Sequence, residues 1–155
     1  MLELRVLVDN NTLIDRYFHG EPGVAYHLQD GGTNILFDAG YSDAFIRNAE
    51  KMGIHLLDID VVVLSHGHLD HTWGLYHLIK LYPETRMEKA DCVNPILVVH
   101  PSAFLPKPVD GIQELGPLRS EDKFSRHCTL ILRKKPLGTN VNMVFFAGLD
   151  RMRLL

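Results

Sequence analysis

Cysteine is scarce. Cys92 and Cys128 are the only two in 155 residues, and neither belongs to a Cys-x-x-Cys pair, so no disulfide framework is implied. A reducing cytoplasm is the expected compartment. Long apolar runs are missing too: none approaches the ~20 residues that span a bilayer. Nor is there a surplus of positive charge. The net charge is −3 with histidine neutral, which argues against a nucleic-acid partner, and Arg151 and Arg153 near the end are too few to form a patch. Residues 1–5 alternate apolar and charged side chains and read as a strand rather than a signal peptide. Gly31-Gly32 and the Gly20/Gly23 pair lack the strand–helix setting of a phosphate loop. Internal repeats and low-complexity tracts are absent. What remains is a chain with 46% hydrophobic and 23% charged residues, the make-up of a single globular domain over residues 1–155.

Periodicity gives the order of elements. Residues 2–8 alternate as a strand and stop at Asp9, Asn10 and Asn11. A loop over 12–23 leads to a strand over 24–28. Asp30, Gly31 and Gly32 signal a hairpin, and residues 33–37 pair back. Ser42 or Asp43 can cap a helix whose apolar face carries Ala44, Phe45, Asn48, Ala49 and Met52, with Gly53 as its stop. Residues 60–64 form a fourth strand. A second helix is predicted from about Asp70 to Tyr82, with Leu75, Leu78, Ile79 and Tyr82 as its buried stripe and Pro83 as its end. Further strands are expected at 96–99, 129–132 and 141–146, the last two joined by a turn over 134–138. This mixed α/β (α+β) order suits a layered sheet covered by helices.

One stretch stands apart. His66, Gly67, His68, Leu69, Asp70 and His71 place three imidazoles and a carboxylate in six positions, directly after the apolar run Val61, Val62, Val63 and Leu64. Imidazole and carboxylate are ligands for zinc, manganese and iron alike. The plainer reading is a polar loop with histidines at a helix start. The density of ligand types on a loop leaving a buried strand favours metal. Gly67 permits an unusual backbone that lets His66 and His68 point the same way. Asp70 and His71 are adjacent and diverge. The spacing therefore suggests that His66 and His68 serve one ion, while Asp70 and His71 address a second position a few Å away.

Residues 65–72 (Ser65, His66, Gly67, His68, Leu69, Asp70, His71, Thr72) resemble the His-x-His-x-Asp-His signature of the metallo-β-lactamase superfamily. Leu36, Phe37, Asp38, Ala39 and Gly40 resemble its Asp-x-Gly turn. Asn48-Ala49, Gly53-Ile54, Gly74-Leu75 and His100-Pro101 are similar to the branch of archaeal dihydropterin–ribofuranosylaminobenzene phosphate synthases and related hydrolases. The resemblance covers roughly residues 1–110.

It implies an αββα sandwich, of which the chain would hold the N-terminal half to two-thirds. It also implies metal ligation by His66, His68, Asp70 and His71, with Asp70 orienting the nucleophile. Zinc, as one or two ions, is the expected cofactor; manganese or iron would also suit. Asp38 is read as a buttress of the loop. Complete members supply later ligands, for which His100 and His127 are the candidates here, as direct ligands or as contacts around the site; His77 is read as a surface or packing residue. An incomplete sandwich would leave a sheet face open, so a homo-oligomer is expected. The implied activity is metal-dependent hydrolysis of an ester, phosphoester or amide-type bond in a small-molecule substrate. A pterin-linked synthase-type transferase and a weakly metal-binding remnant are the alternatives.

Overall fold

The computed structural model describes residues 1–13, 15–111, 114–117, 120–134, 137–138 and 144–145. Six strands form one sheet in chain order: β1 (Glu3–Val8), β2 (Ala25–Asp30), β3 (Thr33–Phe37), β4 (Val61–Val63), β5 (Ile96–Val99) and β6 (Thr129–Leu132). The first three pair antiparallel, with Gly31 and Gly32 as the two-residue turn between the paired Asp30 and Thr33. From β3 onward the pairing is parallel. Parallel neighbours need crossovers. These are made by α1 (Ala44–Lys51), by α2 (Leu69–Thr72) with α3 (Leu75–Met87), and by α4 (Glu121–Ser125). A short ribbon of β7 (Leu137–Gly138) and β8 (Val144–Phe145) forms a second sheet. Positions 135–136, 141–143 and 146 of the predicted last turn and strand lie outside the described residues.

Strand alternation divides the apolar side chains between two faces. Leu36, Val62 and Leu97 lie in register on one face and join the core of Phe45, Ala49, Leu75, Leu78, Tyr82 and Phe124 from the helices. Each such large side chain contributes about 1.5–3 kcal/mol by leaving water. The other face carries Leu28, Ile35, Val63 and Val98, all buried, with Tyr26, Phe37, Val61, Ile96 and Ile131 partly buried around them. A sheet apolar on both sides is what a four-layered sandwich demands.

Two local expectations are corrected. The predicted helix over 70–82 is two helices. The chain breaks at Gly74, whose N–H turns to the Gly40 carbonyl (3.2 Å) rather than continuing the helical ladder of α2. Pro83 does not end α3, which runs on to Met87. Proline inside a helix costs about 3 kcal/mol. The helical bonding continues past it, with the Thr85 hydroxyl donating to the Leu81 carbonyl (2.8 Å) and the Glu88 N–H to the Glu84 carbonyl (3.1 Å), while the Tyr82 hydroxyl donates to the Leu56 carbonyl at 3.3 Å.

Asn48 is also more than a member of an apolar stripe. It is 1% exposed. Its amide nitrogen donates to the carbonyls of Leu7 (2.6 Å) and His19 (2.8 Å), and its oxygen accepts from the His19 N–H (2.9 Å). One side chain thus fastens the 10–23 loop to α1 and β1. Replacing Asn48 with Ala strands the buried Leu7 carbonyl, at about 1–3 kcal/mol, and breaks two part-buried bonds to the His19 backbone. The expected loss is about 2–4 kcal/mol in urea denaturation, and an unchanged midpoint would contradict it.

His27 lies on the helix-covered face, opposite Arg5 and Leu36, and its Nδ1 has no partner among the described residues. Burial first, then the Arg5 charge, hold its imidazole below the ordinary 6.5. The sign follows from which state takes the proton. Below about pH 6.5 the unfolded chain binds a proton that the folded chain resists, so stability is full above that pH and falls on acidification. Thermal melts should therefore drop between pH 7 and pH 5, and the His27→Gln variant should show a shallower drop.

Candidate metal centre

The motif hangs from the end of β4 by bonds that owe nothing to its side chains. Leu64 N–H donates to Val98 O (3.1 Å), Asp38 N–H to Val63 O (2.8 Å), and Ala39 N–H to His71 O (3.0 Å). The ends of β3 and β4 and the start of α2 are thereby locked together. Two glycines permit the close fit. A Cβ on Gly67 would stand 2.1 Å from the Ala103 carbonyl oxygen, so the turn after β5 packs straight onto the motif. A Cβ on Gly23, which has φ +86°, would stand 1.7 Å from the carbonyl oxygen of Asp70. The 10–23 loop thus backs the motif from the other side.

Asp38 sits at the centre. It is fully buried and adopts φ 55°, a left-handed conformation that aspartate tolerates better than most residues. Its Oδ1 accepts from the Ser65 N–H (2.8 Å), and its Oδ2 accepts from the Ser65 hydroxyl (2.6 Å). The same Oδ2 lies 2.7 Å from Nδ1 of His71. The Ser65 hydroxyl is in turn 2.9 Å from Nδ1 of His66. The His66 ring touches both other imidazoles, with centroids 4.5 Å from His68 and 4.2 Å from His71. Asp70 Oδ2 is 3.7 Å from His71 Nε2. The four motif side chains and Asp38 therefore occupy one locality.

Their protonation is set by that arrangement. Burial pushes His71 down, but the Asp38 bond and the charges of Asp38 and Asp70 prevail, and the net shift is upward. His66 moves the other way, held below 6.5 first by burial and then by the neighbouring imidazoles of His71 and His68. A carboxylate on Nδ1 is the usual way a ligating histidine is oriented, since it leaves Nε2 free to face a cation. Among the described residues no three histidine, cysteine or carboxylate side chains already form a cage for an ion. The chemistry of the donor set nonetheless fits a divalent cation: His71 has Nδ1 paired with an anion, His66 is kept neutral, and His68 and Asp70 stand beside them.

The later histidines are placed elsewhere or otherwise engaged. His100 follows β5 and caps its own turn: its Nδ1 accepts from the Ser102 N–H (3.2 Å) and lies 2.6 Å from the Ser102 hydroxyl. That leaves the ring proton on Nε2. His127 is not brought to the cluster. Strands β4, β5 and β6 run parallel, so a residue just before β6 stands at the edge where β4 begins, while His66 follows the end of β4. It lines a groove with Tyr76, Ile79 and Pro83 instead. His77 lies edge-on to Tyr76. Trp73 stacks on Tyr41 at 5.3 Å and donates its indole N–H to the Gly116 carbonyl (2.8 Å).

Sequence reasoning missed Glu21. Its carboxylate accepts from the N–H groups of Tyr41 (2.8 Å) and Ser42 (3.0 Å) and from the Ser42 hydroxyl (2.5 Å), tying the 10–23 loop to the turn after Asp38. No local pattern marks a contact across that distance.

Comparison with known proteins agrees with this fold. The model of the metallo-beta-lactamase superfamily matches residues 20–90, which include both Asp38 and the histidine motif. An uncharacterized protein of Methanocaldococcus jannaschii is 31% identical over 104 residues, covering 67% of this chain and 36% of that protein. An atrochrysone carboxyl ACP thioesterase of Aspergillus fumigatus is 33% identical over 105 residues, covering 62% of this chain and 32% of its own. A 7,8-dihydropterin-6-methyl-4-(β-D-ribofuranosyl)-aminobenzene-5′-phosphate synthase of M. jannaschii is 43% identical over 47 residues, or 30% of this chain and 16% of that one. Among solved structures, Tm1679, a metal-dependent hydrolase of the β-lactamase superfamily, superposes with a TM-score of 0.64 at 21% identity, over 90% of this chain and 45% of that one. The stretch that carries the candidate site, residues 20–90, matches the metallo-β-lactamase superfamily, and the chain spans about a third of the length of the first two relatives.

The packing at Gly67 yields a direct test. Gly67→Ala forces the Ala103 turn away from the motif, an overpacking worth about 1–3 kcal/mol. The melting temperature should fall by roughly 3–10 °C in calorimetry; a melt within 1 °C of the parent would refute the contact.

Proposed function

We propose that the chain is the metal-binding part of a hydrolase acting on an ester, phosphoester or amide-type bond of a small molecule. The observation that carries this reading is the Asp38 carboxylate. It is buried, bonded to His71 and to Ser65, and placed beneath a cluster of three imidazoles. Nothing in the packing of a plain turn calls for that arrangement. The fungal thioesterase among the relatives favours acyl-transfer chemistry to water.

His66, His68, Asp70 and His71 would hold one or two divalent cations, zinc by the mix of nitrogen and oxygen donors. Such an ion supplies Lewis acidity and makes a water acidic enough to ionise near neutral pH. The remaining work belongs to the chain. Asp38 keeps the His71 imidazole upright and withholds Nδ1 from other partners. The Asp70 carboxylate, 32% exposed, is the group that orients an attacking water and receives its proton. The buried floor of Ala39, Gly40 and Leu64 excludes bulk water from beneath.

The test has two arms. Elemental analysis of protein purified without chelator should give one to two equivalents of metal, against near zero for a weakly binding remnant. Hydrolysis of p-nitrophenyl acetate, an acyl thioester and bis(p-nitrophenyl) phosphate should reveal one preferred bond. Asp70→Ala should lower that turnover by at least about 100-fold, within the span of general acid–base contributions, while its circular dichroism melt stays near the parent. Turnover equal to the parent would overturn the role given to Asp70.

A further inference from the structure

We propose that Ser65 is a positioning residue that selects which nitrogen of His66 faces the metal, and that one carboxylate thereby orients two ligands at once. The inference rests on the metal reading above but is carried by hydrogen-bond arithmetic within this chain. A serine hydroxyl has one proton to give and two lone pairs to receive with. The Ser65 proton is spent on Asp38: its oxygen lies 2.6 Å from Oδ2 of a buried carboxylate, which is acceptor-only when ionised. The 2.9 Å contact between the same hydroxyl and Nδ1 of His66 must then run the other way. Nδ1 carries the proton and donates it; the Ser65 oxygen accepts. An imidazole ligates through a nitrogen that carries no proton, so with Nδ1 donating to Ser65 the atom of His66 left to face a cation is Nε2.

His71 reaches the same state by a direct route, its Nδ1 lying 2.7 Å from Asp38 Oδ2. Both imidazoles therefore present Nε2, one held at first hand and one through a hydroxyl. The carboxylate is fixed for this double duty by a second bond, the Ser65 N–H donating to Oδ1 at 2.8 Å. Ser65 consequently touches Asp38 twice and His66 once. The backbone bond does not depend on the side chain, whereas the bridge needs a hydroxyl. His100 makes the contrast plain, because there Nδ1 accepts from a backbone N–H and the proton is left on Nε2.

The prediction separates hydroxyl from packing. Ser65→Thr keeps the bridge, whereas Ser65→Ala removes only the oxygen. Two readouts are needed. The first is long-range ¹H–¹⁵N NMR of the metal-free protein, which reports the tautomer of each ring. His66 should be the Nδ1–H form in the parent and in Ser65→Thr, and should lose that preference in Ser65→Ala. The second is the Kd for Zn²⁺ by competition with a chromophoric chelator. Ser65→Ala should bind about 10–100-fold more weakly, the usual cost of deleting a group that orients a ligating histidine, and Ser65→Thr within about threefold of the parent.

An Nε2–H tautomer in the parent overturns the proposal. So does a Ser65→Ala protein that binds zinc as tightly as the parent. Parent protein that takes up no zinc while His66 keeps the Nδ1–H form refutes the metal reading and leaves the relay standing. Should Ser65→Ala fail to fold, the parent tautomer and the Ser65→Thr affinity still decide the matter.

Discussion

Everything at the candidate centre depends on one buried anion. Asp38 is withdrawn from water at the end of β3, in a left-handed backbone conformation, and it is stable there only because four polar contacts surround its two oxygens or its own N–H. An unpaired carboxylate in such a place would cost several kcal/mol. Its partners are the Val63 carbonyl, the N–H and hydroxyl of Ser65, and the His71 imidazole. The compensation the anion requires is therefore the same set of contacts that gives the motif its shape. Stability and site geometry are here a single requirement.

The parallel half of the sheet explains why this spot was available. Strands β3, β4 and β5 all end at one edge, so Asp38, His66 and His100 follow three neighbouring strands. Side chains that leave adjacent parallel strands at their carboxyl ends meet without the chain having to bend back. The antiparallel hairpin of β1 and β2 adds the loop that closes the site from behind, held by Glu21 and Asn48. Rigid strands supply position, and the loops between them supply chemistry.

Much of this was legible in the residues. Binary patterning marked the strands at 33–37 and 96–99 and the hairpin at Gly31 and Gly32, because those features obey local rules of alternation and turn chemistry. The histidine motif was visible because ligand residues crowd one short segment. Other features hid for physical reasons. Pro83 reads as a stop, yet the helical bonds of Thr85 and Glu88 carry α3 past it. The break at Gly74 answers to the Gly40 carbonyl, over thirty positions earlier in the chain. Asn48 looked like one more member of a stripe, since its three bonds lie with residues far off in sequence. His127 was a candidate on local context alone, and local context says nothing about which end of a parallel strand a residue occupies.

The contact between Gly23 and the Asp70 carbonyl has a mechanical corollary. Backbone meets backbone there with no side chain to cushion it. The loop preceding β2 cannot swing inward without pushing the carboxylate-bearing turn ahead of it, and it cannot swing outward without uncovering that turn. Whatever molecule leans on the loop from outside therefore feels the same spring that holds Asp70 in place.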